Sequence, residues 1–258
     1  MKLLTIFRIV RVLLHVLKGM LVCAVVFPWL DHAARNAHIC RWSTRVLALF
    51  NVTVRQSATS VPVLETAVVV ANHISWLDIF VILSLHPSHF VAKAEIRSWP
   101  LAGWLAQKAG TVFISRGSRR DLRHIFKGLV HSLQKGERVA FFPEGTTAAQ
   151  GTLLPFHANL FEAAIDAHVP VQPFALSYQG SDGGHHPSVD FIGEMTFAES
   201  IALILNGPPV QATLDILAPI SSAGAHRREL AQAAEQAVAT ALGVPAPSVS
   251  AATPATTD

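Results

Sequence analysis

The 258-residue chain predicts an α/β fold, a mixed sheet flanked by helices, with an N-terminal membrane-associated helical hairpin. Three observations lead there. From about residue 61, short apolar β-rich runs alternate with helix-like segments, the pattern of helices packed on a sheet. Before that come two long apolar stretches studded with cations. The whole chain is 51% hydrophobic and only 14% charged, more apolar than an ordinary soluble domain, which points to membrane contact. The length suffices for a large domain with a sizeable core. These patterns divide the chain into a hairpin over 1–55, a main domain over 56–243 and a disordered tail over 244–258.

The first stretch stays apolar to Leu30, interrupted by Arg8, Arg11, His15 and Lys18 at steps of three and four. That spacing puts the four on one face of a helix. The uncharged run from Gly19 to Leu30 is shorter than the roughly 20 apolar residues that cross a bilayer. Pro28 would also bend or end a helix. A helix lying in the interface with its basic face toward headgroups is the first reading. A tilted span with snorkelling cations is the second. A cleaved signal peptide is the third, and it lacks a small-x-small cleavage site. Residues 31–50, with Arg35, Arg41 and Arg45, predict the second helix. A hydrophobic pair packed on the core is the alternative, disfavoured by the clustering of cations.

In the main domain, strands are predicted at 67–71, 90–94, 111–115, 138–142 and 169–176, and late strands at 189–192 and 211–217. Ser118-Arg119-Arg120-Asp121 and Thr196-Phe197-Ala198-Glu199 read as capping boxes. They open helices to about Lys135 and Asn206. Residues 157–168 and 224–243 read as helices. The tail beyond Gly243 is Pro, Ala, Ser and Thr, a composition that buries too little to fold.

The net charge of +3 conceals asymmetry. Residues 1–60 and 93–138 each carry +7, and residues 139–258 carry −9. Basic segments of this kind meet phosphates of lipid or nucleic acid. The chain lacks basic-aromatic interleaving and zinc-finger spacing, so lipid is favoured and no nucleic-acid partner is expected. Two cysteines, Cys23 and Cys40, make no disulfide framework and suit a reducing, cytosol-facing compartment. No Cys/His spacing suggests a metal, and none is expected. A loop from Gly180 to His186 reads as flexible rather than metal-binding. There is no phosphate-binding glycine loop of the nucleotide type and no G-x-S-x-G nucleophile turn.

Candidate chemistry begins at Ala71-Asn72-His73-Ile74-Ser75-Trp76-Leu77-Asp78. An apolar strand ends in a polar pair, and Ser75 with Asp78 reads as a capping box opening a helix. His73 then sits beside a helix N-terminus, where a second positive charge is disfavoured, and beside a carboxylate. Asp78 could hold one ring nitrogen and leave the other to act as a base. Many histidines in such turns only satisfy backbone groups, and other segments must decide. Gly110 to Gly117 is a strand delivering Arg116 at its end, where sites in α/β sheets gather. Its planar fork suits phosphate, and Arg119 and Arg120 follow at a helix start. In Arg138 to Thr147, a buried strand runs into Pro143-Glu144-Gly145-Thr146-Thr147. A glutamate there is costly unless it binds something, a substrate hydroxyl or an arginine, although an exposed turn glutamate is as plausible by composition. Val169-Pro170-Val171-Gln172-Pro173-Phe174 reads as an edge strand or strand start, because proline cannot donate to a ladder.

In this order, Asn72-His73-x4-Asp78, Phe113-Ile114-x-Arg116, Phe142-Pro143-Glu144-Gly145-Thr146 and Val169-Pro170-Val171-x-Pro173 resemble the four blocks of the glycerolipid acyltransferases. The best-known members are 1-acylglycerol-3-phosphate O-acyltransferases. The resemblance spans roughly residues 60–180, and four blocks in order are far more specific than one. It implies an acyltransferase domain over 56–243 at the inner (cytoplasmic) membrane, with its active site facing the cytoplasm. It implies transfer of a fatty acyl group from an acyl-carrier-protein or coenzyme A thioester to the free hydroxyl of 1-acylglycerol-3-phosphate, giving phosphatidic acid for phospholipid biosynthesis. No bound cofactor is implied. His73 would be the base and Asp78 its partner. Arg116, Glu144, Gly145 and Thr146 would shape the acceptor site, and Lys93 would add positive charge. Asn72 and amides at the helix start would face the oxyanion.

Two departures stand out. Members acting on lysophosphatidate commonly carry Arg after Glu-Gly-Thr, where this chain has Thr147. They also have Phe-Lys-x-Gly later, where it has Phe156-His157-Ala158-Asn159. A neutral hydroxyl does not replace a guanidinium at a phosphate. The Glu-Gly-Thr-Thr form resembles the lyso-ornithine-lipid branch, whose acceptor has no phosphate, and lyso-ornithine lipid is the alternative acceptor. From other classes, a non-catalytic lipid-binding module and a hydrolase with His73 activating water remain open at this stage.

Overall fold

The computed structural model describes residues 3–114 and 119–247. It opens with two helices, α1 (Leu3–Val25) and α2 (His32–Leu49), joined through a short 3-10 turn at Phe27–Trp29. Pro28 stands inside that turn and ends α1, as its missing donor requires. Asp31 starts α2 by accepting the Ala34 N–H at 2.8 Å. The pair is held together where the His15 ring stacks on Trp42 at 5.2 Å. Helicity of the hairpin is thus as expected, but the basic stripe is not one solvent face. Arg8 turns inward and donates to the Leu205 carbonyl, and His15 meets the Trp42 carbonyl. Arg11 and Lys18 do stay exposed, on a face shared with Phe7, Leu14 and Leu21, which are 58%, 60% and 64% exposed. Among the described residues no helix is long and apolar enough to cross a membrane.

The main domain is a seven-stranded sheet in the order β1-β7-β6-β2-β5-β3-β4. Its strands are β1 (Val52–Gln56), β2 (Val68–Ala71), β3 (His89–Lys93), β4 (Val112–Ile114), β5 (Val139–Phe141), β6 (Val171–Gln179) and β7 (Val210–Ile216). All neighbours are parallel except β6 and β7, which makes the sheet mixed. The remaining helices are α3 (Leu77–Leu85), α4 (Ala102–Lys108), α5 (Arg119–Gln134), α6 (Glu162–Asp166), α7 (Phe197–Asn206) and α8 (Arg227–Leu242). One core, with Leu47, Leu77, Val81 and Ile204, seats α2, α3 and α7 on one face of the sheet. A second, with Leu129, Leu133, Ala164, Leu230 and Val238, seats α5, α6 and α8 on the other. β2 is buried on both sides, which explains its unbroken apolar run.

Three expectations are corrected. The hairpin segment 1–55 runs into a strand, β1, whose Val52-Thr53-Val54-Arg55 alternates apolar and polar residues and which pairs with β7. The strand expected at 189–192 is a turn followed by extended chain. Its bonds go to the loops beside His73, with Phe191 N–H donating to the Ile74 carbonyl at 3.1 Å. The proline-framed run does mark a strand start, at Val171, but the strand is central rather than an edge. The Pro173 carbonyl accepts from Leu217 just past the end of the β7 ladder, so its nitrogen faces a place where no donor is needed. The capping box at Thr196 is present in full. The box at Ser118 and the tail over 248–258 lie outside the described residues. Residues 244–247 follow α8, with Val244 and Ala246 packed on the core.

Candidate active site

Register assembles the site. Val70 on β2 lies opposite Phe141 on parallel β5, so both chains leave the sheet side by side, at Asn72–His73 and at Phe142–Glu144. Turn and strand end then clasp each other. Glu144 Oε1 accepts the His73 N–H at 2.6 Å, and the Ala148 N–H donates to the His73 carbonyl at 2.7 Å. Gly145 makes the turn at φ +69°, a conformation that a side chain resists. The His73 ring lies flat on Phe142, 3.9 Å between centroids.

Asp78 is fully buried and gathers four donors. Its Oδ2 lies 2.8 Å from His73 Nδ1 and accepts the Ile74 and Ser75 amides at 2.7 and 2.9 Å. Its Oδ1 accepts the Tyr178 hydroxyl at 2.6 Å. A carboxylate, all acceptor, suits four donors. A ring nitrogen facing it donates, so Nδ1 carries the proton and Nε2 keeps its lone pair. The imidazole is 18% exposed, enough for a small group to reach it. The expected Ser75 cap is only half formed. Asp78 reaches back to the Ser75 amide, but the Ser75 hydroxyl is buried without a partner and α3 starts at Leu77.

Tyr178, the only tyrosine, was not singled out from sequence. Its place near the end of a mostly buried strand was the available signal. Burial and the adjacent Asp78 push its pKa well above the usual value, so it stays a neutral donor. Gln150 fastens it, accepting the Tyr178 N–H at 2.9 Å while donating to the His186 carbonyl and Asp190 at 3.1 Å. Tyr178→Phe strands one carboxylate oxygen in the interior. It should cost about 1–3 kcal/mol of stability in urea unfolding while His73 keeps its Oδ2 contact. A change within about 0.5 kcal/mol would show that the bond carries no net stability.

Glu144 is 4% exposed, and its second oxygen accepts the Leu154 N–H at 2.8 Å. It therefore acts on the site through the backbone of His73. Burial raises its carboxyl from 4.5 to about 7, reinforced by Asp78 and Glu235 and opposed by the Leu154 and His73 amides. Between those values the folded chain holds a proton that the unfolded chain has released. Stability from this group is full below pH 4.5 and declines as pH rises through 7, by on the order of 3 kcal/mol. His86, lowered to about 4 by burial and then by Arg138, has the opposite slope, gaining stability as pH rises from 4 to 6.5. The difference between wild type and Glu144→Gln isolates the first effect. Its stability gap should change with pH across this window, and parallel curves would place the titration elsewhere.

Other candidates fall as follows. Asn72 bridges strands: its Nδ2 donates to the Leu176 carbonyl at 3.0 Å and its Oδ1 accepts the Leu176 N–H at 2.8 Å. The Ile74 and Ser75 amides belong to Asp78. Of the expected oxyanion donors, the Asn72 amide group and the Ile74 and Ser75 N–H groups are thus engaged within the fold. Lys93 is exposed at the C-terminal end of β3, on the same sheet edge as His73. Thr146 is exposed on the turn. β4 ends at Ile114 on that edge too, but Arg116 lies outside the described residues. Thr147, in place of the arginine, donates its hydroxyl to the Phe191 carbonyl. A concavity of about 820 Å³ along α7 near Glu194 and Leu203 does not include His73. Among the described residues, no three metal-ligating side chains gather at His73.

A buried carboxylate, an oriented imidazole and a parallel sheet edge are the parts of a proton-abstracting site. Comparison with known proteins says which kind. Residues 51–177 match the family model described as Acyltransferase, and the chain belongs to this acyltransferase family. Over 209 residues it is 44% identical to a lyso-ornithine lipid O-acyltransferase of Pseudomonas aeruginosa, covering 80% of this chain and 79% of that one. It is 43% identical over 150 residues to a 1-acyl-sn-glycerol-3-phosphate acyltransferase of Neisseria meningitidis serogroup B, covering 58% and 59%. The crystal structure of the 1-acyl-sn-glycerophosphate (LPA) acyltransferase PlsC from Thermotoga maritima shares the fold. Its TM-score is 0.64 at 24% identity, over 92% of this chain and 96% of that one.

Proposed function

We propose that this acyltransferase moves a fatty acyl group from an acyl-carrier-protein or coenzyme A thioester to the free hydroxyl of 1-acylglycerol-3-phosphate. The carrying observation is the His73–Asp78–Tyr178 chain, which leaves one imidazole nitrogen as a base. A thioester is already activated, so no covalent enzyme intermediate is needed. His73 Nε2 takes the hydroxyl proton as the oxygen attacks the thioester carbonyl, and returns it to the sulfur as the C–S bond breaks and the thiol leaves. Asp78 balances the charge arising on the ring. The basic segment 93–138, with Lys93 and Arg116, suits a phosphate headgroup. A second reading, lyso-ornithine lipid as acceptor, is favoured by Thr147, whose hydroxyl is engaged by Phe191, and by the length of the match to the Pseudomonas protein. Purified protein with a labelled acyl thioester and each lysolipid decides between them by kcat/KM. Turnover of neither would overturn both.

The protein would ride the inner face of the cytoplasmic membrane on α1. Phe7, Leu14 and Leu21 share an exposed face of α1 with Arg11 and Lys18, and Trp29 in the turn that follows is 88% exposed. Each such side chain gains about 1.5–3 kcal/mol on leaving water. Asp at residues 7, 14 and 21 together should abolish co-sedimentation with phosphatidylglycerol vesicles, and full co-sedimentation would remove α1 as the anchor.

A further inference from the structure

At the opposite end of the sheet, three side chains from distant parts of the chain converge. His32 opens α2, His89 opens β3, and Glu137 precedes β5. Their ligating atoms all lie within 4.8 Å of one another. His89 Nε2 is 3.5 Å from Glu137 Oε2, and His32 Nε2 is 3.9 Å from Oε1. The two rings are parallel within 6° at 5.9 Å.

The tautomer of His89 is set from behind. Its Nδ1 lies 3.2 Å from the Gly110 carbonyl, which only accepts, so Nδ1 carries the proton. That approach needs glycine: at φ +88°, a Cβ on residue 110 would fall 2.4 Å from Nδ1. Nε2 of a neutral ring is then a lone pair aimed at a carboxylate. An Nδ1–H bound to a backbone carbonyl, with Nε2 free, is the usual support of a metal-bound histidine. The Asn36 Nδ2 lies 3.4 Å from His32 Nδ1, and exchanging the amide's N and O, a half-turn of that group alone, would let Oδ1 accept from Nδ1 and free Nε2. With both Nε2 atoms unprotonated, three acceptors would face each other, and a positive charge between them would satisfy all three.

We propose that His32, His89 and Glu137 form a divalent-cation site that takes Zn²⁺, with water as the fourth ligand. Two imidazoles and a carboxylate are a zinc-type donor set. Bonds of about 2.0–2.2 Å require the three groups to close in slightly. His32, 55% exposed, and Glu137, on a loop, have room to do so. The site lies far from His73, so the ion acts as a clip. It ties the base of the N-terminal helix pair to the starts of β3 and β5. No spacing motif in the sequence announces it, because the ligands are 57 and 48 residues apart.

The test is equilibrium dialysis of the full chain with Zn²⁺, followed by thermal unfolding and Co²⁺ absorption. One tightly held equivalent is expected, with a tetrahedral Co²⁺ spectrum and Tm raised by about 5 °C at a hundredfold excess over Kd. His32→Ala, the mildest change because that ring is mostly exposed, and Glu137→Gln should each weaken binding at least tenfold and remove the Tm response. The chain has 13 histidines, so weak binding elsewhere is expected as background. Binding that is unsaturable, or equal in wild type and both variants, would overturn the proposal. So would an occupant that proves to be only a proton, seen as a pH-dependent Tm unaffected by zinc.

Discussion

His73→Ala is expected to slow acyl transfer by about a hundred- to ten-thousandfold with KM for the lysolipid little changed. In the proposed mechanism the ring does the chemistry, whereas the backbone of His73 does the holding. Its N–H binds Glu144 and its carbonyl receives the Ala148 N–H. Both bonds survive in alanine. What goes is the stacking on Phe142 and one of four donors to Asp78, whose Oδ2 still accepts two amides. The loop should therefore stay in place, and the far-ultraviolet spectrum and Tm should confirm it. A purified variant that turns over at the wild-type rate would move the base to another residue.

Asp78→Asn should lose about a thousand- to ten-thousandfold in kcat, close to the loss for His73. Asparagine has the right shape but one acceptor oxygen. If that oxygen takes the Oδ2 place, it still receives His73 Nδ1 and the Ile74 and Ser75 amides. Its NH2 then meets the Tyr178 hydroxyl, whose own hydrogen is left without a partner in the interior. The turn survives, but the negative charge that balances a developing imidazolium is gone. Asp78→Ala is a different experiment. Four donors lose their acceptor inside a fully buried site, and the strand-to-helix turn should unfold with it. An Asn variant with unchanged kcat would reduce Asp78 to a helix-start residue. Loss in the Asn variant together with a wild-type-like Tm would fix its role as orientation and charge.

The two variants also separate proposals that rest on one site. Loss of transfer in both, with either lysolipid, supports the chemistry whichever acceptor is right. The ratio of kcat/KM for the two lysolipids reports on the acceptor end, where Lys93 and Thr146 are exposed and Thr147 is tied to Phe191.

Legibility in the sequence followed sequence distance. His73 and Asp78 are five residues apart across one turn, and a strand-to-helix connection brings such a pair together almost regardless of what surrounds it. The Thr196 box and the break at Pro28 were legible for the same reason. Glu144 was legible as an oddity, a carboxylate after a buried strand, but its partners were not. It holds the backbone of His73, 71 residues away. Asn72 looked like an oxyanion donor because it adjoins a histidine, yet it binds the strand that lies beside it in space.

The amino-acid sequence by itself determined the α/β class, the two N-terminal helices, the His73–Asp78 pair and the family blocks, all of which depend on local pattern. Only the tertiary structure decided that Tyr178 completes the carboxylate site, that Pro173 lies mid-sheet and that three ligating side chains meet at the far edge. The reason is physical. Hydrophobic period and turn chemistry act over a few residues, whereas the order and register of strands are chosen by how two cores pack on the sheet. That choice brought residues 73, 144 and 178 to one end and residues 32, 89 and 137 to the other.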